Sequence, residues 1–287
     1  MSAAEADLAV PRARRGSFAR LLGSELRLVF GRRRNQVGLL VLLGLVAMIG
    51  VALKISQLRH PGSRGGDLIA SVAGNGIFLG FAGLSIEIAL FLPLAVSVLA
   101  GDAIAGEANQ GTLRYLLVAP VPRLRLLAAK ACALAVGAFT GAVVVAVGGV
   151  LAGTLLFGAG PLVTLSGSQI GVGEGLLRLA LATAYVAAGL TALAMLGLFV
   201  STLTEQPIAA TVATAMLGTL LWVLDAVPQL DWLHPWLLVE RWPAFVDLLR
   251  TPVFLDRMVV GLWVDAAYAA VFFVAAWLRF RNKDVTS

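Results

Sequence analysis

Six stretches of this chain, at residues 36–56, 77–100, 128–157, 176–200, 207–227 and 258–279, are almost wholly apolar. Each is long enough to cross the hydrocarbon core of a bilayer, which takes about 20 apolar residues as a helix. Backbone polar groups in lipid must pair within their own segment, and no alternating pattern points to a closed barrel. The expected fold class is therefore all-α, a polytopic membrane protein with six transmembrane helices across residues 36–280. The third stretch is overlong and glycine-rich, which predicts tilt or a break.

Composition agrees. Charged residues make up 13% of the 287 and hydrophobic ones 59%, whereas soluble domains carry roughly a quarter charged residues. The net charge of +6 does not indicate nucleic acid, because the cations sit in short blocks beside apolar runs rather than in an aromatic-laced patch. A membrane-flanking role explains them. Two His and one Cys offer no transition-metal cluster, and Cys132 has no partner for an internal disulfide.

Residues 1–16 are polar and predict a disordered start. An interfacial amphipathic helix is expected over 17–35. At about 100° per residue, Phe18, Leu22, Leu26 and Val29 share one face, and Arg20, Ser24 and Arg27 share the other. Glu25 falls inside the apolar arc, where a helix resting on lipid would not place it, so that face predicts a protein contact. The first apolar run follows a long charged leader and lacks a nearby small-residue cleavage site, which favours a retained span over a signal peptide.

Placing the N-terminus in the cytoplasm puts fifteen Lys and Arg inside and seven outside, the bias of the positive-inside rule. Both termini, including the tail 281–287, are then cytoplasmic. Residues 228–257, with Trp232, Trp236 and Trp242, become an outer re-entrant or interfacial segment anchored by its aromatics.

On the inner side, the segment 101–130 is more than a reversal. Gly111 and Thr112 can start a short helix, with the hydroxyl capping free amides. Leu113, Leu116 and Leu117 fall on one face. Pro120 ends it, and Pro122 suits the first turn of the next helix.

The stretch "GDAIAGEANQGTLRYLLVAPVPRLRLLAAK" resembles the first cytoplasmic loop of permeases in the type-2 exporter superfamily of ATP-binding cassette (ABC) transporters. The matching residues are Glu107, Gly111, Thr112, Leu113, Leu116, Leu117, Pro120, Arg123 and Lys130. The interfacial "SELRLVFGRRRN", six spans and basic tail are similar too. The resemblance implies a cytoplasmic coupling helix that docks on a separate ATPase subunit, assisted by the interfacial helix through Glu25 and Arg27. Arg114, Tyr115 and Leu116 are expected in direct contact, and Glu107 and Thr112 shape the loop. It further implies a second permease, this chain or a homologue, and ATP with Mg held by the partner. The "ANQ" after Glu107 is less charged than the family pattern. "LSGSQ" at Leu165–Gln169 imitates an ATPase signature, but the chain has no phosphate-cradling G-x-x-x-x-G-K-[ST] loop, so hydrolysis is expected on another chain.

Glu87 and Asp265 lie within spans. Intramembrane carboxylates usually face a bundle interior or a water-filled cavity. Either they line a cavity for polar cargo or protons, or they are structural, protonated or paired with Lys54, Arg178 or a hydroxyl. The G-x-x-x-G spacings at Gly76/Gly80, Gly137/Gly141 and Gly149/Gly153 predict close internal packing of helices. The expected function is the permease subunit of an ABC exporter in the cell membrane. The alternatives are a proton-coupled secondary transporter, which would show paired repeats with broken helices, and a membrane scaffold for an enzyme complex.

Overall fold

The computed structural model describes residues 16–59, 75–111 and 122–282. The helices are α1 (Gly16–Gly31), α2 (Arg33–Arg59), α3 (Gly76–Glu87), α4 (Phe91–Asn109), α5 (Arg123–Phe157), α6 (Val172–Leu203), α7 (Pro207–Asp225) and α8 (Asp256–Arg281). Six of them, α2 and α4–α8, are long and apolar enough to cross a membrane. A two-stranded antiparallel hairpin, β1 (Leu162–Val163) and β2 (Gln169–Ile170), joins α5 to α6. Three short 3-10 turns fill the stretch between α7 and α8.

α6 is the central helix and packs against α4, α5, α7 and α8. α2, α7 and α8 lie at the edge and turn apolar side chains outward, among them Leu40, Ile208 and Trp263 at 65%, 80% and 74% exposure. Such faces are stable only in lipid, where an outward Leu or Trp costs nothing.

Two expectations change here. The stretch 77–100 is not one helix: the backbone leaves it at residues 88–90, and α4 then runs on to Asn109. Pro93 supplies the physical reason, since it has no amide to give Ala89 and its ring crowds that carbonyl. Leu90 takes up the bend with φ −143° and ψ −55°. Conversely, of the tilt or break expected in α5, the break is absent: the helix stays continuous for 35 residues, roughly 52 Å at 1.5 Å per residue, a length that leaves tilt as the expectation.

The spacings Gly76/Gly80 and Gly149/Gly153 give the expected close packing, whereas Gly137 and Gly141 have only side chains as near neighbours and no backbone against them. α3 lies on α5 with backbones nearly touching: a Cβ on Gly76 or Gly153 would land on the partner's main chain, and one on Gly149 would come within 2.7 Å of Gly80 Cα.

At the hairpin end the chain knits itself together by main-chain hydrogen bonds. Asn75 caps α3 through Ile77 N (2.9 Å) and donates to the carbonyls of Gly160 and Pro161. "LSGSQ" is the hairpin turn, with Gly167 at φ +80°, and Leu165 N donates to Leu249 O at 2.8 Å. Trp232 and Trp236 are exposed, as boundary anchors would be. Trp242 is not: it is 2% exposed, packs over Gly189 and meets Trp222 edge-on at 6.2 Å. Its anchoring role is corrected to that of a core side chain.

Candidate functional site

The opposite end of the bundle holds its charges in an ion-paired cluster. Lys130, about two turns into α5, is 3% exposed and lies 3.1 Å from Glu25 of α1 and 2.5 Å from Glu107 of α4. Beside it Asp102 of α4 pairs with Arg32 and, at 3.2 Å, with Arg34, at the start of α2. All six side chains line one cavity of about 40 Å³, so three cations face three carboxylates. The balance matters, because a charge taken out of water is tolerable only when paired.

Neighbouring contacts fix the helix ends around this cluster. Asn35 and Gln36 of α2 donate to Val29 O (2.6 Å) and Phe30 O (2.9 Å), satisfying carbonyls that α1 leaves open at its C-terminus. Ser201 of α6 reaches into α4, where it accepts from Ile104 N and Ala105 N and donates to Gly101 O. Arg123 donates to Arg281 O at 2.6 Å, capping α8. Gly111 ends α4 in the left-handed region at φ +68°, a conformation glycine takes without steric cost. Pro122 (φ −55°, ψ 130°) leads into α5.

Helix therefore covers residues 101–109 and 123–130 of the predicted loop, leaving 110–122 as the connection. Of the expected site residues, Thr112, Leu113, Arg114, Tyr115, Leu116, Leu117 and Pro120 lie outside the described residues. Glu107 is buried on Lys130 near the end of α4, at the base of the loop. Arg123 holds α8, and Arg27 is exposed on the outer face of α1. The apolar arc of α1 does meet protein, with Glu25 buried against α5.

The intramembrane carboxylates stand apart from this cluster. Glu87 closes α3 at the break and is fully buried, and no described residue hydrogen-bonds either oxygen. Asp265 of α8 is 4% exposed, with the buried Trp242 as its polar neighbour. Neither pairs with the expected cations. Lys54 lies over the Phe157 ring at 5.3 Å, and Arg178 turns to Glu174 and to the carbonyls of Leu248 and Arg250.

Sequence reasoning missed the link between Asp102 and the two arginines, and the insertion of Ser201. Asp102 and the run Arg32–Arg34 were each visible, yet roughly 70 residues and a whole span separate them along the chain. Ser201 gives no sequence signal at all.

The family model for ABC-2 family transporter protein matches residues 30–230, from the end of α1 through α7. The chain belongs to the ABC-2 transporter family. The match takes in α2, the ion-paired base of α4 and α5 and the loop between them, and leaves out α8. A search of curated proteins returned no match. Membership makes the bundle the membrane component of an ABC transporter, a multi-pass protein whose family associates with ABC ATPase subunits.

Proposed function

We propose that this ABC-2 family chain is the permease subunit of an exporter, driven by separate ATPase subunits that dock on the loop between α4 and α5. The observation that carries the proposal is the Glu25–Lys130–Glu107 cluster. Both helices flanking the loop are tied through one buried lysine to α1, so a push on the loop reaches three helices together. Two permeases enclose the cargo path, ATP and Mg reside on the partners, and the ion-paired end is cytoplasmic by the distribution of Lys and Arg. ATP and cargo binding are then linked, because the partner contacts differ between states.

Leu116→Asp is the direct test. The stripe Leu113, Leu116 and Leu117 needs an apolar groove, and each leucine buried there contributes about 1.5–3 kcal/mol. The variant should still insert and fold, recover less ATPase in detergent, and lose coupled transport in liposomes. Full recovery with normal transport would sink the docking role. Orientation is checked separately. In a background with Cys132 replaced, a cysteine at Ser168 should react with an impermeant thiol reagent on intact cells, and one at Gln110 should not.

A second reading, a proton-coupled transporter, draws on Glu87 at the break between α3 and α4, since half-helix ends hold coupling ions in such proteins. Transport that persists without ATP and stops when the proton gradient is collapsed would favour it.

A further inference from the structure

Between the α1–α2 corner and the faces of α4 and α5 lies a cavity of about 290 Å³ that the coupling account does not use. Its walls are apolar: Leu39 and Leu42 of α2, Leu92, Val96 and Leu99 of α4, and Gly141 of α5 at its floor. Its polar lining is confined to Arg34 and Asn35, both at the start of α2. Val37 lines it as well and is 57% exposed, so the cavity reaches the surface along α2. From Arg34 to Leu42 it follows α2 for roughly 12 Å at 1.5 Å per residue. This is the shape of a slot with a cationic lip and a hydrocarbon depth.

We infer that the slot holds one acyl chain of an anionic phospholipid, with the phosphate at Arg33 and Arg34. Two observations select this occupant. The lip carries more cations than carboxylates: Arg32 and Arg34 share the single carboxylate of Asp102, and Arg33 is exposed beside them. The opening lies where α2 passes from arginine to apolar sequence, the level at which headgroup gives way to chain. A soluble anion would satisfy the lip and leave the apolar depth unused. Because the slot shares Val29, Arg34, Asn35 and Leu99 with the ion-paired cluster, its lipid would brace α1 against α2.

The test uses the full chain purified in detergent, delipidated, and offered phosphatidylglycerol or phosphatidylethanolamine with identical acyl chains. Native mass spectrometry should show phosphatidylglycerol retained in preference. Arg33→Gln and Arg34→Gln should each weaken retention roughly fivefold, the value of one cation beside an anionic surface. Gly141→Leu would fill the floor, where an added Cβ meets only Leu92 and Leu42 at ordinary contact distances. It should abolish retention without loss of thermal stability. If it does not fold, Gly38→Leu, at a position with open space around a Cβ, takes its place. A phosphatidylglycerol photolabelled near the end of its chain should mark residues 92–99. Equal retention of the two lipids, or retention that survives the filled floor, would overturn the assignment. So would photolabelling confined to the outward Leu40 and Met48, the mark of an annular lipid only.

Discussion

The two ends of the bundle share side chain–main chain contacts but differ in what joins their separate helices. At the loop end, charged side chains on separate helices grip one another: Lys130 between Glu25 and Glu107, Asp102 between Arg32 and Arg34. At the hairpin end, side chains grip the main chain. Arg178 donates to Leu248 O and Arg250 O, Tyr185 to Arg241 O, Tyr268 to Trp236 O, and Arg241 to Pro235 O. The first arrangement joins rigid helices to each other. The second pins an irregular segment over the helix ends. A load applied at the loop end would thus be shared by α1, α4 and α5.

The contrast can be broken most severely at Lys130. Lys130→Ala leaves two carboxylates facing each other in a buried site, and should cost about 3–5 kcal/mol in unfolding measurements. Lys130→Met combined with Glu25→Gln and Glu107→Gln should recover most of that stability without restoring transport. Recovery of both would mean that the cluster is only structural. At the hairpin end, Arg178→Ala should cost less, about 1.5–3 kcal/mol, by orphaning two carbonyls that accept from a charged donor. Its salt-bridge partner is a smaller matter. Glu174 is half exposed, and Glu174→Ala should change stability by about 0–1 kcal/mol. A loss at Glu174 as large as at Arg178 would show that the ion pair, and not the carbonyls, holds the segment between α7 and α8.

Much of this was legible in the sequence, for reasons that are themselves physical. Span length and the cost of bare backbone in lipid set the helices, and the order of apolar runs set their number. Glu25 stood out because an acidic residue in an apolar arc needs a partner, and Glu107 and Lys130 lay in the motif that resembles a coupling loop. What stayed hidden depends on distance or on local sterics inside an apolar run. Pro93 broke a stretch whose hydropathy never faltered. Trp242 was buried while its neighbours Trp232 and Trp236 were not, a difference set by the fit over Gly189 and by no pattern along the chain. Arg178 could have neutralised a membrane carboxylate by sign alone, but it donates instead to the carbonyls of Leu248 and Arg250.

The central claim is that the loop end moves as one body when the partner ATPase binds nucleotide. Spin labels at Arg27 on α1 and Arg125 on α5, both exposed, report on it in the complex with its ATPase. Their distance distribution should be the same with and without ATP and Mg, while the distance from Arg27 to its counterpart on the second permease changes. In the Lys130→Met, Glu25→Gln, Glu107→Gln variant, the Arg27–Arg125 distribution should broaden once nucleotide is added. A nucleotide-dependent change in the Arg27–Arg125 distance of the unaltered cluster would contradict the account.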